Sequence, residues 1–479
     1  MLTTTKLKNI VFNVVYYLLN VLFPIITYPY ITRMLGVENV GTANLVITVS
    51  TYFATLASLG IPIYGIREIA KCKGNDKQRD FVVSELLFLN LIAVSISLVL
   101  YFITIHNVSF MEDNIVLYYF AGVNVALSLF QIDWFFQGTE RFKILAIRNL
   151  IVKALSVVLI FLLVDSDDDT DMFVITTVIA LTLTNVINII SLLRCVSLKY
   201  SNLNLKKHLK PILFFSGTRL VSTIYTLLDS VLLAILSSNY FVGLYTTAIK
   251  LIRVLTTAIS SVSLVFFADT ARLANSSQDE YTANLTSLLM FLLLLVCPSV
   301  LFFFVFSYEI ITVFAGESFS GAAFTLRILS ILIFVSMATN FIGMQILYAK
   351  NHERFVFISL SIGACVCVIS NLILIPLAKH NGAAISAVLT EFSILMFQVF
   401  IVYKNKLISF KNIKYKILKI LSINVLFIVF IFIVYLLFKG IDTMWMLILL
   451  STLSLFSYPI FLIIFKESTF CAIKSRFLK

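Results

Sequence analysis

Charged residues make up 13% of this 479-residue chain against 60% apolar, so a charge inside an apolar run is the first place to look for chemistry. Three basic residues fall near the middle of such runs: Lys153, Lys250 and Arg253. The last two stand one helical turn apart and share a helix face, while Arg219 lies shallower in its run. A cation at the centre of a membrane helix costs roughly 2.5–3.5 kcal/mol on insertion scales. That cost is tolerated where the charge lines a cavity and holds an anion, where a long side chain reaches the interface, or where an acid pairs with it. Arg148 and Arg327 suit the interface reading. Among the acids, Glu85 and Asp133 sit near span ends, where a solvated or capping role is expected. Asp229 and Glu391 lie deeper. Each is a candidate either to titrate or bind Na⁺, coupling an ion gradient, or to neutralise a neighbouring cation.

The elements that must position these residues are membrane helices. Apolar runs of about 20 residues or more recur from Ile10 to Phe465, each long enough to cross a hydrocarbon core of about 30 Å as a helix. Their polar breaks give about fourteen spans, beginning near residues 10, 40, 81, 114, 144, 172, 211, 241, 284, 323, 355, 382, 416 and 443. Lys and Arg outside the spans collect at the two ends of the chain and in alternate loops, opposed only by Arg33, Lys379 and Lys439. The rule that cytoplasmic loops carry the basic excess places both termini in the cytoplasm. The +12 net charge is therefore a topology signal, and no nucleic-acid partner is expected. The first run follows Lys6 and Lys8 but contains Pro24 and Pro29 and lacks a small-residue cleavage site, so it reads as a retained helix.

The outer loops are short, which leaves little room for a catalytic domain, and no Gly-rich phosphate loop, zinc pattern or nucleophile elbow stands out. A non-enzyme without a cofactor or metal is expected. The six cysteines, including the pair Cys365 and Cys367 and the distal Cys471, read as ordinary thiols, because successive helix positions point apart. The acidic segment Asp165 to Asp171 lacks the spacing of a calcium loop and reads as solvated. Trp134, Phe135 and Phe136 read as an anchor at the cytoplasmic boundary. Pro24 and Pro29 mark a kink or hinge in span 1, and Pro376 ends span 11.

Two short echoes, Glu140-Arg141-Phe142 with Glu353-Arg354-Phe355 and Val40-Gly41 with Val242-Gly243, map each span onto the one six further on. They imply two parallel six-helix bundles. The expected organisation is an N-terminal lobe at 1–195, a basic linker at 196–210 lying as an amphipathic helix on the inner leaflet, a C-terminal lobe at 211–404, and two further spans and a tail at 405–479.

The chain also resembles a known group. Pro29 to Gly36 with Val40-Gly41, Gly60-Ile61 and Gly65 to Ala70 form one block, and Asp133 to Glu140 with Arg148-Asn149 a second. A third comprises Asp229, Val242 to Tyr245 and Ala248. The fourth comprises Asn340, Gly343, Gln345, Leu347, Asn371, Ile375-Pro376, Gly382 to Ile385 and Glu391. In order and spacing these blocks are similar to those of Wzx-type polysaccharide flippases, of the multidrug/oligosaccharidyl-lipid/polysaccharide exporter superfamily. One departure lies at Phe267 to Arg272, where the family often places a proline and an arginine at the end of span 8.

The resemblance implies an all-α integral membrane fold of two pseudo-symmetric six-helix lobes around a central cavity, with two C-terminal helices. It implies translocation of undecaprenyl-diphosphate-linked oligosaccharide repeat units from the cytoplasmic to the outer leaflet of a bacterial inner membrane, by alternating access, for O-antigen or capsule synthesis. Lys153, Lys250, Arg253 and Arg219 would then hold the diphosphate. Its partners would be the lipid-linked substrate, membrane lipids, a proton or Na⁺ gradient, and the polymerase and chain-length proteins of the pathway. A drug antiporter of the same superfamily is the competing reading, and a membrane glycan polymerase or ligase a more distant one. The basic mid-span set disfavours the antiporter, and the short outer loops disfavour the polymerase.

Overall fold

The computed structural model describes residues 4–58, 60–201, 203–274, 278–408, 413–438 and 440–465, so Cys471 and most of the C-terminal tail lie outside the described residues. Among these the regular structure is all helical, with no strand. The helices are α1 (Thr4–Ser58), α2 (Ile61–Lys71), α3 (Asp76–Asn107), α4 (Ile115–Leu127), α5 (Asp133–Gly138), α6 (Phe142–Leu163), α7 (Thr170–Leu193) and α8 (Lys206–Leu236). They continue with α9 (Asn239–Ala274), α10 (Gln278–Val305), α11 (Ser307–Ala315), α12 (Ala322–Ile342), α13 (Glu353–Lys404), α14 (Ile413–Leu437) and α15 (Thr443–Ile464). Eleven helices among the described residues are long and apolar enough to cross a membrane. At 1.5 Å per residue even the 22-residue α6 spans about 33 Å.

Two of those eleven are hairpins. Gly36 breaks α1 with φ 70° and ψ −179°, and Asn44 Nδ2 donates to the Tyr28 hydroxyl at 3.2 Å. In one continuous helix residues that far apart would be separated by about 24 Å; the hydrogen bond requires two antiparallel limbs. The prolines at 24 and 29 stay inside the first limb, so the reversal falls at the glycine that tolerates positive φ and not at the expected kink. In α13 the break is Lys379, at φ 49°, three residues after Pro376. Ser370 and Ser386 meet across it at 2.5 Å, and Gln398 Nε2 donates to Ser359 Oγ at 3.3 Å. A Cβ on Gly382 would lie 2.0 Å from the Leu374 carbonyl, so only glycine allows the returning limb so close.

The chain separates into two compact units, Met1–Gly243 and Leu244–Lys479, with the division inside α9. In the first unit the α1 hairpin is the hub, packing against α3, α4, α6, α7 and α8. In the second, α12 packs on α10 and α13, and α14 joins α10 to α15. The two glycines of the Val-Gly echo belong to one crossing. A Cβ on Gly41 would fall 1.9 Å from the Asn239 carbonyl, and one on Gly243 would fall 2.0 Å from that of Val37. Small residues let backbones approach where lipid supplies no hydrophobic drive.

Three expectations are corrected. Trp134, Phe135 and Phe136 do not anchor a boundary; they are buried in a core with Ile61, Tyr64, Leu86 and Leu145. Gly65 makes room for the Trp134 ring, which a Cβ there would approach to 2.6 Å. The linker is not an amphipathic helix: the described residues from Val196 to Leu205 are irregular, and α8 begins at Lys206. It is pinned to α3, because Ser197 N–H donates to Asp80, Lys199 N–H to Ser84 Oγ and Asn204 N–H to Glu85. Glu85 is therefore buried and not solvated. At the Phe267 to Arg272 departure, α9 continues to Ala274. The acidic loop turns out to be ordered capping: the Asp169 carboxylate accepts from the Ser166 N–H at 2.9 Å and its hydroxyl at 2.8 Å, in front of α7.

Candidate functional site

The most developed polar feature lies inside the first unit. Helix α6 carries Arg148, Asn149 and Lys153 toward a cavity of about 210 Å³. Thr51 and Thr55 of α1, Asn124 of α4, Ser128, Gln131 and Asp133 before and at the start of α5, and Thr184 and Asn185 of α7 complete its polar wall. Ala54 and Leu181 are the apolar members. A cluster of hydroxyls and carboxamides within apolar helices is costly unless the groups are hydrogen-bonded or wet, so this cavity is a place built for a polar occupant.

Its charges are unequally committed. Arg148 grips Asp133 through two bonds, Nη1 to Oδ1 at 2.8 Å and Nη2 to Oδ2 at 3.2 Å. The arginine side chain is 2% exposed and the aspartate 23%. Asn188 of α7 tightens the pair, accepting from Arg148 Nη1 and donating from Nδ2 to Asp133 Oδ1 at 2.8 Å. Arg148 Nη2 also donates to Asn149 Oδ1 at 3.1 Å. The interface role expected for Arg148 is thereby replaced by a buried bidentate ion pair, the geometry in which guanidinium and carboxylate match best. Asp133, expected to be solvated, occupies the first position of α5, where the helix dipole also favours an acid. Lys153 makes no ion pair among the described residues. Its Nζ stands 4.2 Å from the centroid of the Phe23 ring, a cation–π contact that holds the ammonium without neutralising it.

The other sequence candidates divide as follows. Lys250 and Arg253 share a face of α9 in the second unit, each partly buried and neither without a partner. Asp229 of α8 is buried at 4% exposure and likewise partnered. Glu391 of α13 is half-buried near the Thr339 side chain, whose hydroxyl donates to the Val335 carbonyl at 2.9 Å. Arg219 is on α8, but its side chain lies outside the described residues. Only Lys153 among these candidates is placed in the first unit's cavity.

Sequence reasoning missed a second buried network. Glu85 accepts from Lys207 Nζ at 2.7 Å and meets His208 Nε2 at 2.8 Å, and His208 Nδ1 meets the Tyr64 hydroxyl at 2.7 Å. An ionised carboxylate only accepts, so Nε2 carries the proton and Nδ1 accepts from the phenol. Burial, then the Glu68 charge, push the Tyr64 phenol above its ordinary range. No spacing in the chain reveals this triad, because its members come from α2, α3 and α8. The Asp133 and Arg148 pairing left a faint signal: two opposite charges in neighbouring apolar runs.

Solved structures with the same arrangement of helices are membrane exporters. The lipid II flippase MurJ in an inward closed conformation superposes with a TM-score of 0.70 at 15% identity, over 96% of this chain and 99% of that one. An outward-facing multidrug resistance transporter of the MATE family, in the MOP superfamily, gives 0.54 at 15% identity, over 81% and 93%. The likeness is one of fold: this chain shares the multi-helical membrane architecture of those proteins. The profile of the polysaccharide biosynthesis protein family matches residues 6–267, more than half the length, and the chain belongs to that family. Relatives assigned as O-antigen transporters include one from Shigella dysenteriae, 24% identical over 82% of this chain and 98% of that protein. Another, from Escherichia coli, is 23% identical over 85% and 100%.

Proposed function

We propose that this protein flips undecaprenyl-diphosphate-linked oligosaccharide repeat units from the cytoplasmic to the outer leaflet of a bacterial inner membrane, for O-antigen or capsule synthesis. The observation that carries the reading is the polar cavity with Lys153, which makes no ion pair among the described residues, inside a family member whose relatives are assigned to O-antigen transport. A lipid-linked sugar cannot cross hydrocarbon with its polar groups bare. A cavity of hydroxyls, carboxamides and one cation replaces the lost water and attracts the anionic head.

Transport by alternating access of the two units, with Lys250 and Arg253 joining Lys153 in binding the diphosphate, belongs to the same proposal. So do fourteen spans with both termini cytoplasmic, obtained by counting each limb of the two hairpins as a span and adding α8. Asp229 and Glu391 are the proposed ion-coupling acids, and the pathway's polymerase and chain-length proteins the proposed partners.

The experiment is complementation of a flippase-deficient host that makes the matching glycan, read as surface polysaccharide and as accumulated lipid-linked precursor. The wild-type chain restores the surface glycan. Lys153→Gln and Arg253→Gln each lower it at least tenfold while membrane abundance is kept. Full export by both variants would remove the cations from the mechanism, and failure of the wild type would sink the assignment.

A further inference from the structure

The first unit's cavity is too weakly charged to be a diphosphate clamp. Its volume of about 210 Å³ suits one ring-sized group rather than a whole oligosaccharide, since pockets for whole small molecules begin at roughly 300 Å³. Three charged side chains line it, Asp133, Arg148 and Lys153. The bidentate pair cancels two of them, leaving one net positive charge. Two adjoining phosphates would call for more cation than that.

What the cavity does offer in quantity is carboxamide: Asn124, Gln131, Asn149 and Asn185. Each carboxamide presents a donor and an acceptor on one plane, the complement of neighbouring hydroxyls or of an acylamino group on a pyranose ring. Two of them are already oriented. Asn124 Nδ2 donates to Ser50 Oγ at 3.3 Å, and Asn149 Oδ1 is held by Arg148, which leaves the Asn149 amide nitrogen available to a ligand oxygen. Asn185 is 6% exposed, on the α7 wall opposite α6.

We propose that this cavity is a saccharide subsite that takes one pyranose ring of the carrier's glycan, and that Lys153 meets the single phosphate oxygen at the sugar–phosphate junction. The Asp133 and Arg148 pair acts as a positioning element, holding Asn149 and keeping the local charge near +1. This rests on the transport reading above and deepens it: the first unit reads sugar, and the rest of the diphosphate is bound elsewhere.

The test uses the full chain in nanodiscs and two synthetic carriers, prenyl diphosphate alone and prenyl diphosphate bearing one hexose of the glycan its host exports. The sugar-bearing carrier is expected to bind the wild type about tenfold more tightly, since a site built to hydrogen-bond a group discriminates against its absence. Asn185→Leu closes that gap with sugar-free binding unchanged, and Asn185→Gln reopens part of it. A thermal melt of each variant separates loss of recognition from loss of fold. Equal binding of the two carriers by the wild type, or a gap that survives Asn185→Leu, overturns the subsite while leaving transport standing. If neither carrier binds the wild type, the transport reading falls and the subsite with it.

Discussion

Breaking the ion pair behind the cavity should be costly, and unequally so from its two sides. Asp133→Asn strands Arg148, whose side chain is 2% exposed, and also removes the carboxylate that Asn188 donates to. An uncompensated buried charge of this kind costs about 3–5 kcal/mol. Arg148→Met strands Asp133, but that side chain is 23% exposed, so water can reach it and the loss falls to about 2 kcal/mol. On the scale of a unit of this size, about 3 kcal/mol corresponds to a melting midpoint roughly 6–12 °C lower. The apolar replacement Asp133→Leu with Arg148→Met should recover to within about 1–2 kcal/mol of the wild type, because no charge is then left buried. Thermal unfolding of the four proteins in nanodiscs provides the measurement. If Asp133→Asn is the milder single change, or the double variant loses the sum of both, the burial argument is wrong.

Two other outcomes can be checked in the same preparations. Gly41→Ala or Gly243→Ala forces a methyl to within about 2 Å of a carbonyl oxygen at the α1 and α9 crossing, and Gly382→Ala does the same inside the α13 hairpin. Each should lower the midpoint by more than a typical surface change, at least about 2 kcal/mol, whereas Gly74→Ala, with nothing nearby, pays only the strain of its positive φ. Cys72 is buried, and burial followed by the Glu68 charge push its thiol above the ordinary range. A raised thiol holds less thiolate at any given pH. Alkylation by iodoacetamide at pH 8, followed by mass spectrometry, should therefore leave Cys72 unmodified in native membranes and label it after denaturation.

Much of the fold could be read from the chain because membrane helices are written in composition. About 20 consecutive apolar residues must be helical in lipid, since every backbone group has to be satisfied within its own segment. Every expected span start falls at or near the start of an observed helix or hairpin limb. Pro376 lies inside the first limb of α13, three residues before the break at Lys379. Lys153 was legible for the same reason, a cation where lipid makes cations expensive. The prolines of α1 misled because kinking is permitted by proline but decided by neighbours, and the turn fell at Gly36.

Pairing lies beyond the reach of sequence alone. Asp133 and Arg148 look like two end-of-helix charges until α5 and α6 are brought together, and Trp134 looks like an interface anchor until Gly65 opens space for its ring. Glu85, His208 and Tyr64 belong to three helices and meet only because the linker is tied down on α3. Hydropathy is a one-body property that each segment carries by itself, so the sequence alone determined that this chain lives in the membrane and where its helices run. Which polar groups cancel, which line a cavity and which charge stays available are two-body and three-body properties. Those were decided only by tertiary packing, which among the described residues left Lys153 without a carboxylate while giving Arg148 one.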